Sequence, residues 1–369
     1  MLRRTWLRWL TMSSVLNAVK PSVARAPSSV DASPYPPVER GAVLTFPRDH
    51  GAHPPYRIEW WYATGWLEGA DGPLGMQITF FRSRLAHADD SPSRFAPRQI
   101  VFAHAALADP SEGRLRHAQE AQRTGFGDAA FSEDTTDVRL HRWSLARQAS
   151  NGHYRAVVAT REFDFDLELA PTQPLLLQGD AGWSRKGPRP EQASYYYSQP
   201  HLAVQGRVLR RGRPTNVTGR AWLDHEWSST LLDPRAAGWD WIGINLDDGG
   251  ALMAFRIRPK DGHDAALWAG GTHRDASGRV RTFAPEAISF RPTRWWTSPR
   301  TQTRYPVEFE VRAGDLTATL SPLLDDQELD SRESTGAVYW EGAVELRQAG
   351  RRIGRGYLEL TGYAGALRL

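Results

Sequence analysis

Six consecutive residues hold the densest chemistry of this 369-residue chain: Trp222-Leu223-Asp224-His225-Glu226-Trp227. Two carboxyls, an imidazole and two indoles this close together point to acid–base work beside aromatic faces. In an extended segment successive side chains alternate sides. Trp222, Asp224 and Glu226 would then face one way, and Leu223, His225 and Trp227 the other. An apolar wall carrying one imidazole suits a cavity that holds a greasy molecule and touches it with one polar group. A carboxyl held dry against tryptophan has its charged form disfavoured, so it can stay protonated and donate a proton. Such an acid can protonate an isolated alkene, and aromatic faces can stabilise the cation until water adds. Asp224, Glu226 and Asp240 are the candidate acids, with His225 the candidate that orients water. The competing reading pairs these acids with arginines such as Arg57, Arg220 and Arg256, as locks between strands.

Glu59-Trp60-Trp61-Tyr62 repeats the theme near the start of the chain. Trp60, Trp61, Tyr62, Trp227, Trp239 and Trp241 are the candidate pocket walls, and Glu59 joins His225 as a polar contact. Trp60 and Trp61 are adjacent and must diverge in a strand. His50 and His53 could ligate a metal, with His225 or Glu59 as further partners. Pro54-Pro55 follow at once, which places both histidines on a loop with no third ligand specified. They are read as structural, and no metal is expected. Ser228 and Ser229 lie near His225 and Asp224, but no Gly-x-Ser-x-Gly elbow accompanies them. No phosphate-binding loop follows Gly238 or Gly249-Gly250, so no nucleotide or other cofactor is expected.

The elements that must position these residues read as strands. Phe163-Asp-Phe-Asp-Leu-Glu-Leu169 alternates cleanly with period two, as do Val307–Val311 and Val338–Leu346. Asp71-Gly72, Asp248-Gly249-Gly250, Asp261-Gly262 and Ser277-Gly278 supply turns between short strands, and helical periodicity is almost absent. The pattern predicts sandwich or barrel architecture. Trp60-Trp-Tyr-Ala-Thr-Gly-Trp-Leu-Glu, an Asp-Gly turn and Met76–Arg82 are echoed by Trp239-Asp-Trp-Ile-Gly-Ile-Asn-Leu-Asp, an Asp-Gly-Gly turn and Met253–Arg256. His104…Gly113-Arg114 is echoed by His273…Gly278-Arg279 in the same way. This predicts a duplicated barrel with its seam near Arg211–Thr218, giving an N-terminal barrel over 44–214 and a C-terminal one over 215–369.

Composition narrows the class. The chain has no Cys, which removes disulfides and thiolate chemistry, and its 15 Trp argue for aromatic-lined interiors. The net charge of +4 is spread among nearly equal numbers of acids and bases, without a nucleic-acid-binding motif, so no nucleic acid partner is expected. The first 26 residues read as an export signal: Arg3 and Arg4, a short apolar stretch broken by Arg8, and Ala24-Arg25-Ala26 as a cleavage site. That stretch is too short to span a bilayer, so membrane contact would be peripheral at most. Residues 27–43, with Pro34, Pro36 and Pro37, read as an extended linker.

An ordered set of strings carries a family resemblance: Phe46–Pro54, Glu59–Gly65, Leu177–Asp180, Ala193–Ser198, Gly219–Ser229, Gly238–Trp241 and Tyr339–Gly342. Together they resemble the secreted tandem-lipocalin family of carotenoid 1,2-hydratases and AttH-type proteins. The resemblance implies an all-β fold of two tandem lipocalin-like antiparallel β-barrels packed side by side, with a hydrophobic pocket. It also implies export to the periplasm or cell exterior and, for AttH-type members, association with ABC transporter components. A small apolar or amphipathic ligand, lipid or isoprenoid, is the implied partner, and cofactor-free hydration of an isolated double bond the implied alternative. In the hydratases a His-x-Trp pair matters, matched here by His225-Glu-Trp227. Their Tyr-x-Asp proton donor has no match, because the corresponding strand Leu252–Arg258 carries no carboxylate. Asp224, Glu226 or Asp240 would have to serve.

Overall fold

The computed structural model describes residues 33–263 and 265–365. The candidate export signal lies outside them. From Tyr35 onward the described residues form one compact unit. Among the described residues there is no α-helix, only strands and single 3-10 turns.

The first sheet opens with β1 (Ile58–Gly69), β2 (Gly72–Arg84), β3 (Gln99–Asp109) and β4 (Arg114–Arg123). Five shorter strands follow: β5 (Ala129–Phe131), β6 (Asp137–Leu140), β7 (Trp143–Arg147), β8 (Tyr154–Ala159) and β9 (Phe163–Pro171). The short β10 (Leu176–Leu177) and β11 (Trp183–Arg185) flank the long hairpin of β12 (Ala193–Arg210) and β13 (Arg213–Ser228). The antiparallel order is β4-β3-β2-β1-β13-β12-β9-β8-β7-β6-β5, with β10 and β11 against β12.

The second sheet opens with β14 (Ala236–Leu246), β15 (Ala251–Pro259), β16 (Trp268–Arg274) and β17 (Val280–Phe283). It continues with β18 (Ile288–Thr297), β19 (Arg304–Ala313), β20 (Leu316–Pro322) and β21 (Glu328–Ser331). It ends with β22 (Ala337–Gln348) and β23 (Arg351–Leu360). Its order, β17-β16-β15-β14-β23-β22-β20-β19-β18, repeats the part of the first sheet's order that runs from β4 to β7; β6 and β5 have no counterpart on this path. The duplication read from the aromatic hairpins is thus present in the topology: β1–β2 and β14–β15 occupy equivalent places.

The seam lies elsewhere than expected. Arg211–Thr218 falls in the β12–β13 turn and the start of β13, and β13 is zipped to both β12 and β1 along its length. The Arg-Gly-Arg-Pro composition marks a hairpin turn here, not a linker. The chain leaves the first sheet after Ser228 and enters the second at Ala236.

Both sheets curl around filled interiors. The first holds Trp61, Leu67, Phe80, Leu145, Phe165, Leu167 and Leu223, and the second Ile242, Phe290, Phe309, Leu320, Trp340 and Leu358. A third apolar layer lies between the sheets, where Tyr62, Trp66, Tyr196 and Trp222 of the first meet Trp241, Met253, Phe255 and Tyr357 of the second. The strands that build it are therefore buried on both faces, which explains their unbroken apolar and aromatic runs.

Close backbone approach fixes this layer. A Cβ on Gly356 would sit 1.9 Å from the carbonyl oxygen of Gly243, and the Gly356 carbonyl accepts a hydrogen bond from the Trp66 indole at 2.9 Å. Substituting Gly356→Ala is expected to destabilise the fold by about 3 kcal/mol, because backbone on two strands would have to move. Urea unfolding of the variant checks this, and an unchanged midpoint would contradict it.

Candidate functional site

The central residues of β13 have neighbours on both sides, and the register assigns each a place. Trp61 pairs with His225, Tyr62 with Asp224 and Trp60 with Glu226. Alternation sends Leu223, His225 and Trp227 toward the first barrel and its end, and Trp222, Asp224 and Glu226 into the layer between sheets. Two separate sites result.

Within the barrel, His225 is fully buried and stacked on Trp61, ring centroids 4.9 Å apart. Its Nε2 lies 2.9 Å from Glu59 Oε1 and its Nδ1 3.1 Å from the Tyr197 hydroxyl. His50 Nδ1 meets the same hydroxyl at 2.9 Å, and His53 Nδ1 meets Glu59 Oε1 at 2.8 Å. Arg82 Nε donates to Glu59 Oε2 at 2.8 Å, and the His53 backbone N–H donates to the same oxygen at 2.9 Å. Burial opposes charge on Glu59, yet Arg82, His225 and His53 hold its carboxyl well below the usual range. Burial lowers His225 despite Glu59, and it lowers His50 to about 3. For His53 burial is outweighed by Asp49 and Glu59, and its pKa is raised. A neutral His225 therefore donates from Nε2 to the Glu59 carboxylate and accepts from Tyr197 at Nδ1.

This network fastens the segment Thr45–Tyr56 across the end of the first barrel. Ala52 N–H donates to the Ser132 carbonyl at 2.8 Å, Thr136 Oγ1 donates to the His50 carbonyl at 2.8 Å, and the His53 ring stacks on Trp227 at 3.7 Å. His50 and His53 do lie on a loop. His53, Glu59 and His225 come together closely enough to hold a metal ion. Each of their ligand atoms nevertheless has a hydrogen-bond partner in the protein, and the Arg82 cation already occupies the carboxylate, so the donor set reads as a structural lock.

In the layer between the sheets the opposite electrostatics apply. Asp224 accepts hydrogen bonds from Tyr196 at 2.6 Å, from the Trp222 indole at 2.7 Å and from Ser198. Burial nonetheless pushes its pKa up to about 7. Burial also raises Glu226, which sits 3.2 Å from Lys186 Nζ. Facing them from the second sheet are Glu341 and Glu359, directly opposite each other across β22 and β23. Burial and the neighbouring Glu359 charge drive Glu341 well above the carboxylate range, and enclosure pushes Glu359 up to about 7. The Trp239 indole donates to Glu359 at 2.7 Å, the Trp241 indole donates to the Tyr196 hydroxyl at 3.1 Å, and Tyr62 meets Trp241 edge-on at 5.4 Å. Lys186 lies over the rings of Tyr196 and Phe255. Half-buried Trp60, Leu232, Trp239, Leu267 and Trp268 form the rim of this layer.

The residues singled out in the sequence thus divide three ways. Trp61, His225 and Glu59 sit inside the first barrel, and Trp227 caps its end. Trp60, Tyr62, Trp239, Trp241, Asp224 and Glu226 share the layer. Trp60 and Trp61 diverge as strand geometry requires. His225 does not share a face with Asp224 or Glu226, so these acids and this imidazole cannot act on one molecule. Asp240 departs from the acid role: it is fully buried and held by Arg256 at 2.6 Å, Arg258 at 2.9 Å and Tyr363 at 3.0 Å. It locks strands. The carboxyls lacking on Leu252–Arg258 come from its own sheet, in the row Phe255, Trp241, Glu359, Glu341. Tyr339-Trp-Glu341 and Tyr357-Leu-Glu359 were the signals for them: in each, an acid shares a strand face with a tyrosine two residues before it.

The family model of AttH-like proteins matches residues 37–363. This chain belongs to the AttH-like family. A crystal structure of a Nitrosomonas europaea protein assigned to AttH is 54% identical with a TM-score of 0.83, covering 89% of this chain and 99% of that one. Kievitone hydratase from Nectria haematococca is 14% identical with a TM-score of 0.66, covering 90% and 99% of the two chains. CghA is 13% identical with a TM-score of 0.53, covering 90% and 96%. At those identities the last two share the fold. None of the curated proteins matches the sequence. The AttH-like, tandem lipocalin-like architecture implied by the motifs is the one found.

The two sites set opposite pH dependences. Glu59→Gln removes the carboxylate but leaves Arg82 buried, so a loss of about 3–5 kcal/mol is expected in urea unfolding. A loss under 1 kcal/mol would contradict the lock. Asp224 and Glu359 have folded pKa values raised from ordinary values of 3.8 and 4.5. Their stabilisation is complete below about pH 4 and is lost as pH rises through about 7. Tm should therefore fall between about pH 4 and 8 and level off above that, and Asp224→Asn with Glu359→Gln should flatten the fall.

Proposed function

We propose that this protein is an exported carrier of an apolar or amphipathic ligand of the lipid or isoprenoid class, held at the layer between its two barrels. One observation carries the reading: four carboxyls, Asp224, Glu226, Glu341 and Glu359, face an aromatic layer whose rim of half-buried tryptophans reaches the surface. Burying acids together is costly, and a packed apolar interface would hold the sheets without them. Aromatic walls with a few convergent polar groups are what binding an apolar molecule requires. Delivery to or from ABC transporter components in the periplasm fits a carrier of this kind, with membrane contact peripheral at most.

A second reading is cofactor-free hydration of an isolated double bond. It is favoured by Asp224 and Glu359, carboxyls raised to about 7 and hydrogen-bonded by the indole N–H groups of Trp222 and Trp239 within the aromatic layer. An acid matched to the working pH can protonate an alkene, and the indole faces can stabilise the cation. His225 takes no part in this scheme.

Mass spectrometry of molecules extracted from gently purified protein separates the two readings, with an isoprenoid panel screened in parallel for a gain of one water. The carrier reading expects a retained lipid without product, and about tenfold weaker retention in Trp60→Ala and Trp239→Ala. Hydrated product that vanishes in Asp224→Asn or Glu359→Gln would instead establish the enzyme. Full retention in both tryptophan variants would remove the layer from the account.

A further inference from the structure

Between the sheets lies a second polar spot that the aromatic rim does not explain. Thr64 and Gln77 are paired across β1 and β2, as are Tyr62 and Thr79, so all four lie side by side on one face of the sheet. Each is at most 6% exposed. Across the layer, Gly75 packs against Ala343 and Tyr357, and Tyr62 lies beside Glu341. Thr64 and Gln77 therefore sit between these two contacts, facing β22. Thr64 Oγ1 and Gln77 Oε1 are buried here without a hydrogen-bond partner, and beside them the Tyr62 hydroxyl and the Glu341 carboxyl have each other. A buried polar atom left unpaired costs about 1–3 kcal/mol. Neither Thr64 Oγ1 nor Gln77 Oε1 belongs to the barrel lock or to the rim.

The chemistry of the spot defines what can fill it. Gln77 Oε1 only accepts, the two hydroxyls accept as readily as they donate, and Glu341 offers a further oxygen. Gln77 Oε1 cannot donate, so the partner it lacks brings its own O–H or N–H. Charge adds a second constraint. Glu359 lies directly across from Glu341, and Asp224 directly across from Tyr62. Arg82, which could neutralise an anion, is committed to Glu59 on the barrel side of the sheet, and Lys186 to Glu226. An anionic group would enter among carboxyls with no cation to receive it.

We infer that the carried molecule places a hydrogen-bond-donating, non-anionic head group, an alcohol or an amine, against Tyr62, Thr64, Gln77 and Glu341, and that carboxylate-headed lipids are rejected. A chain of contacts links the rim to this spot. Trp239 at the rim touches Glu359, Glu359 opposes Glu341, and Glu341 adjoins Tyr62. The head would travel past the carboxyls and the tail would remain among the tryptophans. This rests on the proposal that the layer binds an apolar ligand.

Four probes with one tail test it: 1-dodecanol, dodecylamine, dodecyl methyl ether and dodecanoate, titrated below their aggregation limits at pH 8 with tryptophan fluorescence as readout. Dodecanol, dodecylamine or both are expected to bind at least tenfold tighter than dodecanoate and about fivefold tighter than the ether. Dodecanoate or the ether binding as tightly as both donors would overturn the head-group inference and leave the carrier reading standing. Absence of binding by all four would overturn the carrier reading itself. Gln77→Leu, which leaves every carboxyl in place, should weaken dodecanol about fivefold and leave the ether unchanged. Parallel losses for alcohol and ether would mark a packing effect and sink the assignment.

Discussion

One strand buried on both faces constrains everything else in this molecule. β13 lies between β1 and β12, and its residues alternate between the inside of the first barrel and the layer against the second. A strand has a period of two, so six residues crowded with functional groups must be dealt out alternately. His225 goes to the barrel and its neighbours Asp224 and Glu226 to the layer. A slip of one residue would exchange the sets, placing carboxyls among the leucines of the barrel core and an imidazole against Trp241. The register is fixed by what each face can accept.

The two faces solve the problem of buried charge in opposite ways. Glu59 is ionised, and it is ionised because Arg82 sits in register across from it and three further N–H groups converge on the carboxylate. Breaking such a pair leaves an uncompensated charge, which makes it strong as a latch whatever its net contribution to stability. Asp240 with Arg256 and Arg258 repeats the device in the second barrel. In the layer, carboxyls outnumber cations, Lys186 pairing with Glu226 alone, and burial raises all four acids above the ordinary range. Paired charges close the barrels, and acids in excess of their cations face the layer that the two barrels share.

Much of this was legible in the sequence, and the part that was not has identifiable causes. Alternation in Phe163–Leu169, the aromatic hairpins and their echo gave strands, barrels and duplication, because those features are set by local period and turn chemistry. The seam escaped because Arg-Gly-Arg-Pro serves equally well as a linker and as a hairpin turn, and only pairing along β13 distinguishes them. The site was half legible. The alternation of Trp222–Trp227 placed each side chain on its face, but which face meets which neighbour is a tertiary fact. Glu341 and Glu359 lie more than 110 positions from Asp224; the Tyr-x-Glu spacing in each strand sets acid and tyrosine on one face, but that this face is buried against the other barrel is again a tertiary fact.

The duplication gives the shared layer its form. By the aromatic echo Trp60 and Tyr62 are equivalent to Trp239 and Trp241, and these equivalent residues meet, Tyr62 against Trp241. Two copies of one fold that pack by corresponding faces form a self-complementary interface. The acids follow the same rule. Tyr62 is paired with Asp224 on the last strand of its half, and Trp241 with Glu359 on the last strand of the other. Each half therefore contributes the same unit, an aromatic ring beside a carboxyl, at the same place. An unpaired acid kept once could be an accident of packing, since a hydrophobic substitute is often as stable. Present twice, at equivalent positions that face one another while the interiors differ, with His225 in one barrel and Asp240 in the other, the ring and acid are a feature of the duplicated layer itself, and the proposed binding role rests on them.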